Sequence, residues 1–300
     1  MRDHASATAI LVALGMLSLA QRPQDRGASL ISPSERTLLR NTLAHIGCIP
    51  AILSKHPCLT LARPVERLFV PGITTHFGIR KRLIEQAAVR AISEGFTQVI
   101  VIGAGLDMLT LRLNRTAPGI RCIEIDHPAT LAHKRQMLAL ASTDAHHIDL
   151  VVADLARTTV TEALTRSAHF DRSLPTLFVA EGLTMYLTPA QVRNLLADLL
   201  HAAPNARLLM TFMQPGTAGR VRFTRQTILL RLLLQLLGEP FQWGLRTTDL
   251  PDLLNASGWT LAHLSGPPEF SACATAASIN FPESAFLGEY LAEASAQHRH

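Results

Sequence analysis

Lysine is nearly missing from this chain. Only three occur in 300 residues, at Lys55, Lys81 and Lys134. The formal net charge of +5 therefore rests on arginine. The arginines are scattered, and aromatic residues, only 5% of the chain, are not interleaved with them. That pattern argues against a nucleic-acid partner and reads as a solvated basic surface. Cysteine is scarce too. Cys48, Cys58, Cys122 and Cys273 form no C-x-x-C pair, so neither a metal site nor a redox motif is expected. Cys122 lies in a strand-like run and reads as a small buried apolar residue. This cysteine usage fits a reducing compartment and a cytoplasmic protein.

No apolar run is long enough to span a bilayer. "ATAILVALGMLSLA" (7–20) follows Arg2 much as a signal peptide would, yet no clear A-x-A cleavage site succeeds it. It is read as a buried first helix. "TILLRLLLQLL" (227–237) is also too short to span, and the two polar residues that interrupt it, Arg231 and Gln235, share one helix face. Core packing is the expectation for it, with closure over a site or a homodimer contact as alternatives. No membrane partner and no internal repeat are expected. Against these absences stand 48% apolar and 17% charged residues, enough to bury a sizeable core in one large domain or two small ones.

Residues 1–70 read as helical, broken by prolines at 23, 33, 50, 57 and 64. Apolar residues at helical spacing predict a helix over 76–94, ended by Gly95. The rhythm then changes. "QVIVI" (98–102), "RCIEI" (121–125), "IDLVV" (148–152), "TLFVA" (176–180) and "ARLLMTF" (206–212) are short β-rich runs with helical stretches between most of them. This alternation predicts a parallel sheet covered by helices on both faces. Ligands of such sheets bind outside the carboxyl ends of the strands, so the residues following each run are the informative ones.

The first run ends in Gly103-Ala104-Gly105-Leu106-Asp107. Two glycines allow a sharp turn and close approach to a ligand. The third glycine of a dinucleotide fingerprint is replaced by Met108, and Asp107 would repel a pyrophosphate. A nucleoside without phosphates suits the loop better. After the second run come Glu124 and Asp126, on one face of the strand. Asp126 is nearer the strand end and is the first choice to accept ribose hydroxyls, with capping of the helix at Pro128 as the alternative. After the third come Asp154 and Leu155, an acceptor and an apolar wall that suit an adenine. After the fourth comes Glu181, with Tyr186 five residues on, and Thr188-Pro189 opening the next helix. Arg80, in "FGIRKRLIEQA", is suited to a carboxylate, although Lys81 and Arg82 adjoin it. Loop glycines, a ribose acid, an adenine-side Asp and an Arg together describe S-adenosyl-L-methionine.

"QVIVIGAGLDMLTLRL", "CIEIDHPATLAHKRQML", "VVADLA" and "LFVAEGLTMYLTPAQV", in order and at suitable spacing, resemble the leucine carboxyl methyltransferase-like family of class I S-adenosyl-L-methionine-dependent methyltransferases. The likeness covers about residues 70–265, including "GEPFQWGL…DLLNASGW". It implies an α/β, Rossmann-like class I fold: a seven-stranded, mostly parallel sheet with helices on both faces and one antiparallel strand near the C-terminus. It implies a helical cap over 1–70 on a core over 71–300, with a helical insert near 214–245. It implies that Arg80 binds the methionine carboxylate and that Gly103, with Gly105 nearby, approaches the methionine portion. Asp126 would hold the ribose, and Asp154 with Leu155 the adenine. Glu181 would contact the cofactor near the substrate opening, and Tyr186 would orient a substrate oxygen. Two departures, Met108-Leu109 after the loop aspartate and "LISPSERTLLRN" early in the chain, bear on the acceptor pocket.

The expected activity is O-methylation of a small-molecule carboxylate. Such a nucleophile is already ionised at neutral pH, and no histidine is clearly placed as a general base. His127 is the nearest to a strand end. Methylation of a hydroxyl is the alternative; nicotinamide-dependent oxidoreduction is the more distant one.

Overall fold

The computed structural model describes residues 6–22, 30–55, 58–59, 62–141, 147–216 and 219–297. Pro23 and Pro57, two of the expected helix breakers, lie outside the described residues.

The five β-rich runs all become strands: β1 Gln98–Ile102, β2 Arg121–Asp126, β3 Ile148–Val152, β4 Thr176–Ala180 and β5 Ala206–Met213. Two further strands, β6 Trp259–Ser265 and β7 Glu289–Ala296, complete a seven-stranded sheet of order β3-β2-β1-β4-β5-β7-β6. The first five strands pair in parallel, and β7 runs antiparallel to both β5 and β6. That is the Rossmann-like arrangement, with its single antiparallel strand, that the resemblance implies. Central β1 is buried at every position because both sheet faces are covered. Its side chains alternate with the pleat. Val99 and Val101 pack into one apolar cluster, Ile100 and Ile102 into another on the opposite face.

The first cluster is covered by α1 (Ala7–Leu19), α2 (Pro33–Ile46), α5 (Ile73–Ser93), α6 (Leu109–Thr116) and α7 (Pro128–Leu140). Between α2 and α5 lie the short α3 (Cys48–Leu53) and α4 (Ala62–Phe69). The second cluster is covered by α8 (Val160–Leu164), α9 (Pro189–Ala202) and α11 (Leu250–Ala256). There Trp259 is fully buried and donates its indole N–H to the Leu196 carbonyl at 2.9 Å. The last helix, α12 (Pro267–Ala276), packs on α5.

Local signals act where they were read. Thr188 caps α9 by accepting the Gln191 N–H, Gln191 returns a bond to the Thr188 N–H, and Pro189 fills the first turn. Gly95 follows α5 with a positive φ of 100°. The first helix is buried through Ala13, Met16, Leu17 and Leu19, as expected. It crosses α5 at Gly78, where a Cβ would stand 2.6 Å from both Leu19 Cδ2 and Leu30 Cδ1. A side chain at position 78 would therefore make Leu19 and Leu30 shift.

The 227–237 run departs from its expectation. It forms α10 (Ile228–Leu236), in which only Leu234 is buried, while Leu236 is 84% exposed. Both sheet faces are already covered by other helices, so this run lies on α4 at the surface and is not core packing. Among the described residues no helix is long and apolar enough to cross a membrane.

Candidate functional site

Strands β1, β2 and β4 deliver their last residues to one cavity of roughly 240 Å³. Gly103, Gly105, Asp107, Asp126, Glu181 and Tyr186 all line it, and α1 closes its front with Thr8, Ala9 and Val12. Chain reversal after β1 needs a positive φ at Gly103, 69°, and a Cβ there would lie 3.2 Å from Leu183 Cδ1. The turn is fixed by the Gly103 N–H donating to the Ile125 carbonyl at 2.8 Å. Across it sits Asp126. Its Oδ2 accepts the Gly105 N–H and its Oδ1 the His127 N–H, each at 2.6 Å. Burial pushes its carboxyl pKa up, against those two bonds. Capping of α7 falls instead to His127, whose Nδ1 accepts the Ala129 N–H. The capping alternative for Asp126 is therefore not what the structure shows.

Behind the loop lies a cage of opposite charges. Arg80, buried on α5, donates through Nη1 to both oxygens of Glu289 at 2.7 and 2.6 Å. Through Nε and Nη2 it donates to Glu181 Oε1 at 3.0 and 2.6 Å. Its guanidinium carbon sits 4.7 Å from the centre of the Phe77 ring. Lys81 bridges Asp107 at 2.5 Å and Glu181 at 2.9 Å. Burial alone would lower the Arg80 pKa, but Glu289 and Glu181 outweigh it and raise the pKa. Burial likewise opposes ionisation of Glu289 and Asp107. Arg80 nevertheless holds Glu289 well below the usual carboxylate range, and Lys81 with Arg112 does the same for Asp107. His76 stacks on Phe270 with its Nε2 3.3 Å from Glu289, and burial lowers its pKa, so the imidazole is neutral.

This cage corrects one inference. Asp107 is answered by Lys81, by Arg112 at 3.4 Å and by Lys134, which donates to its backbone carbonyl. Its charge is spent inside the protein and does not by itself repel a phosphate. Glu124 faces away from the cavity chemistry as well. It is fully buried against Lys134 at 2.9 Å and Thr110 at 2.5 Å.

Not every sequence candidate reaches the cavity. Asp154 and Leu155 follow β3 but lie outside the cavity lining, and Asp154 Oδ1 accepts the Ala156 N–H at 3.1 Å in a local turn. His127 is outside the lining too. Tyr186 is inside it, with its ring 5.5 Å from Phe241 and its hydroxyl bonded to Thr8; burial raises its pKa, so it stays protonated. Glu289, His76, Lys134 and the α1 wall went unread. Lys134 had one available signal, its rarity as a lysine; Glu289 and His76 had none. The α1 wall is tied by Thr8, whose N–H and hydroxyl both donate to buried Glu239.

The sequence profile of the leucine carboxyl methyltransferase family matches residues 29–200, more than half of the chain. A relative from Mycobacteroides abscessus, named "Putative S-adenosyl-L-methionine-dependent methyltransferase", is 32% identical over 64% of this chain and 64% of its own length. One of the same name from Mycobacterium ulcerans is 30% identical over 67% of this chain and 62% of its own. The chain thus spans somewhat under two thirds of either relative. Among solved structures, a DUF574 family protein from Streptomyces avermitilis shares the fold. Its TM-score is 0.59 at 16% identity, covering 80% of this chain and 91% of that one. The chain belongs to the leucine carboxyl methyltransferase family.

Proposed function

We propose that this protein is an S-adenosyl-L-methionine-dependent O-methyltransferase whose acceptor is a carboxylate of a small molecule. When bound, the cofactor supplies an electrophilic methyl group. The residues present fit such a ligand, which has a ribose and a zwitterionic amino-acid end but no phosphate. Asp126 beside the Gly103–Gly105 turn is an acceptor for ribose hydroxyls. Arg80 and Lys81 answer a carboxylate and Glu181 an ammonium, and Glu181 already pairs with both cations. For the adenine, Asp154 and Leu155 are proposed as an acceptor and an apolar wall after β3, as the family resemblance also implies.

One observation supports the carboxylate reading above all: among the described residues, no group lining the cavity is free to act as a general base. Glu35 and Glu85 are paired to Arg112, Asp107 to Lys81 and Arg112, and Glu181 to Arg80 and Lys81. Asp126 is engaged by two backbone N–H groups, and no histidine is among the lining residues. Tyr186 keeps its proton and serves as a donor that orients an acceptor oxygen. A phenol or alcohol would need its proton removed, whereas a carboxylate arrives ionised. What the protein then contributes is alignment and exclusion of water, to which α1 across the loop contributes.

Calorimetry with S-adenosyl-L-homocysteine and with NAD tests the cofactor. Binding of the former alone is expected; binding of NAD alone overturns the proposal. A screen of carboxylic acids and phenols with a labelled methyl donor tests the acceptor. A base-labile methyl ester, formed at a rate nearly flat from about pH 6 to 8, is expected. Ether products formed at a rate climbing with pH would instead establish a hydroxyl acceptor.

A further inference from the structure

The α10 surface has a charge pattern as well as an apolar one. Ile228, Leu232 and Leu236 follow one another at i, i+4 and i+8, and are 59%, 52% and 84% exposed. Leu229, 46% exposed, widens the stripe. The stripe does not stand alone. The Thr227 hydroxyl donates to the Leu68 carbonyl at 2.6 Å and the Thr227 N–H to the Phe69 carbonyl at 2.9 Å. These bonds place the start of α10 against the end of α4, whose Val65 and Leu68 are also exposed. Two helices thus present one apolar ledge to the outside.

The charges beside this ledge are all of one sign. Arg67 on α4 and Arg231 on α10 are exposed, and neither makes an ion pair among the described residues. Neither helix exposes an acid: α10 has none, and Glu66 of α4 is buried and paired to Arg22 at 2.6 Å. Residues 219–237 contain four arginines and no acidic residue at all. Isolated exposed leucines are ordinary, but a contiguous apolar ledge rimmed by unanswered cations is not.

We propose that the α4–α10 ledge docks on an anionic lipid surface. The leucines enter the boundary between headgroups and acyl chains, and Arg67 and Arg231 meet lipid phosphates. Charge complementarity selects this occupant over a second copy of the chain. In a two-fold pair the ledge would meet itself, setting arginines against arginines with no acid on either helix to answer them. The earlier expectation of no membrane partner rested on spanning length, which a docked surface helix does not need. The segment also leads to the site, since Phe241, five residues beyond α10, lies against Tyr186.

Vesicle sedimentation tests this directly. The full chain is mixed with vesicles of phosphatidylcholine alone, or of phosphatidylcholine with phosphatidylglycerol, at low and high salt. Sedimentation with the anionic vesicles, weakened by salt, is expected. R67E/R231E should lower the partition coefficient by about 30-fold or more, taking roughly 1 kcal/mol per arginine near a charged surface. L232S/L236S should abolish binding. Both pairs are surface residues, and unchanged far-ultraviolet circular dichroism checks that each variant is folded. No sedimentation, equal sedimentation with neutral vesicles, or binding indifferent to both variants would overturn the proposal. So would a wild-type dimer in sedimentation velocity that L232S/L236S converts to monomer while vesicles bind neither protein.

Discussion

Glu289→Gln is the sharpest perturbation of the buried cage. The change keeps the side chain's size and one acceptor oxygen, but removes a charge that is fully buried and bonded twice to Arg80. Breaking a buried ion pair usually destabilises by about 3–5 kcal/mol. Glu181 still answers Arg80, so the lower end, about 3 kcal/mol, is expected. The titration of Glu289 leads to the same magnitude. Its carboxyl falls from 4.5 to about 2 in the folded protein. At about 1.4 kcal/mol per pH unit that corresponds to about 3 kcal/mol. Because the folded pKa is the lower one, this stability is fully present above pH 4.5 and is lost as pH falls towards 2. Urea unfolding followed by circular dichroism at several pH values provides the assay. The wild type should exceed the variant by about 3 kcal/mol at neutral pH, and the gap should narrow below about pH 4.5. In a double-mutant cycle, R80M/E289Q should be destabilised by less than the two single changes summed. A neutral-pH difference under about 1 kcal/mol, or a gap that ignores pH, would refute the reasoning.

Two further outcomes follow from the loop. Asp126→Asn should weaken S-adenosyl-L-homocysteine binding by about 30-fold in calorimetry, since hydrogen bonds to a charged group contribute about 1.5–3 kcal/mol. Unchanged affinity would remove the ribose assignment. Gly103→Ala should destabilise the fold by about 1–2 kcal/mol in urea, because an alanine there adopts a left-handed backbone and meets Leu183. If the unfolding midpoint is unchanged, the turn is not the constraint described.

The parts of the molecule that could be read beforehand are those encoded by neighbours in sequence. Apolar runs marked the strands β1 to β5, Gly95 marked the end of α5, and Thr188-Pro189 marked the start of α9. Asp126 lines the cavity, because strand direction alone sets what lies beyond β2. Reading failed where the decisive partner is remote. Asp107 looked like a free negative charge, yet its counterions Lys81 and Lys134 come from α5 and α7. Glu181 lines the cavity, but its pairing with Arg80 and Lys81, which precede it by about a hundred residues, left no mark beside it in sequence. For α10, composition gave the right helix and the wrong environment, since an apolar run does not state whether the sheet still has an uncovered face.

The tie between α1 and Glu239 also sets an order of events. It joins residues 231 apart in sequence, and the Arg80–Glu289 pair joins residues 209 apart. Contacts of such separation form only after long stretches of chain have been brought together. During synthesis from the N-terminus, α1, the glycine loop and Asp126 emerge early and α1 can pack on α5, but the front wall lacks its tie to Glu239 until that residue appears. The back of the cage remains open until β7, among the last elements made, inserts between β5 and β6. A growing or truncated chain that stops before residue 289 therefore carries the recognisable motif segments of the family without a finished cavity.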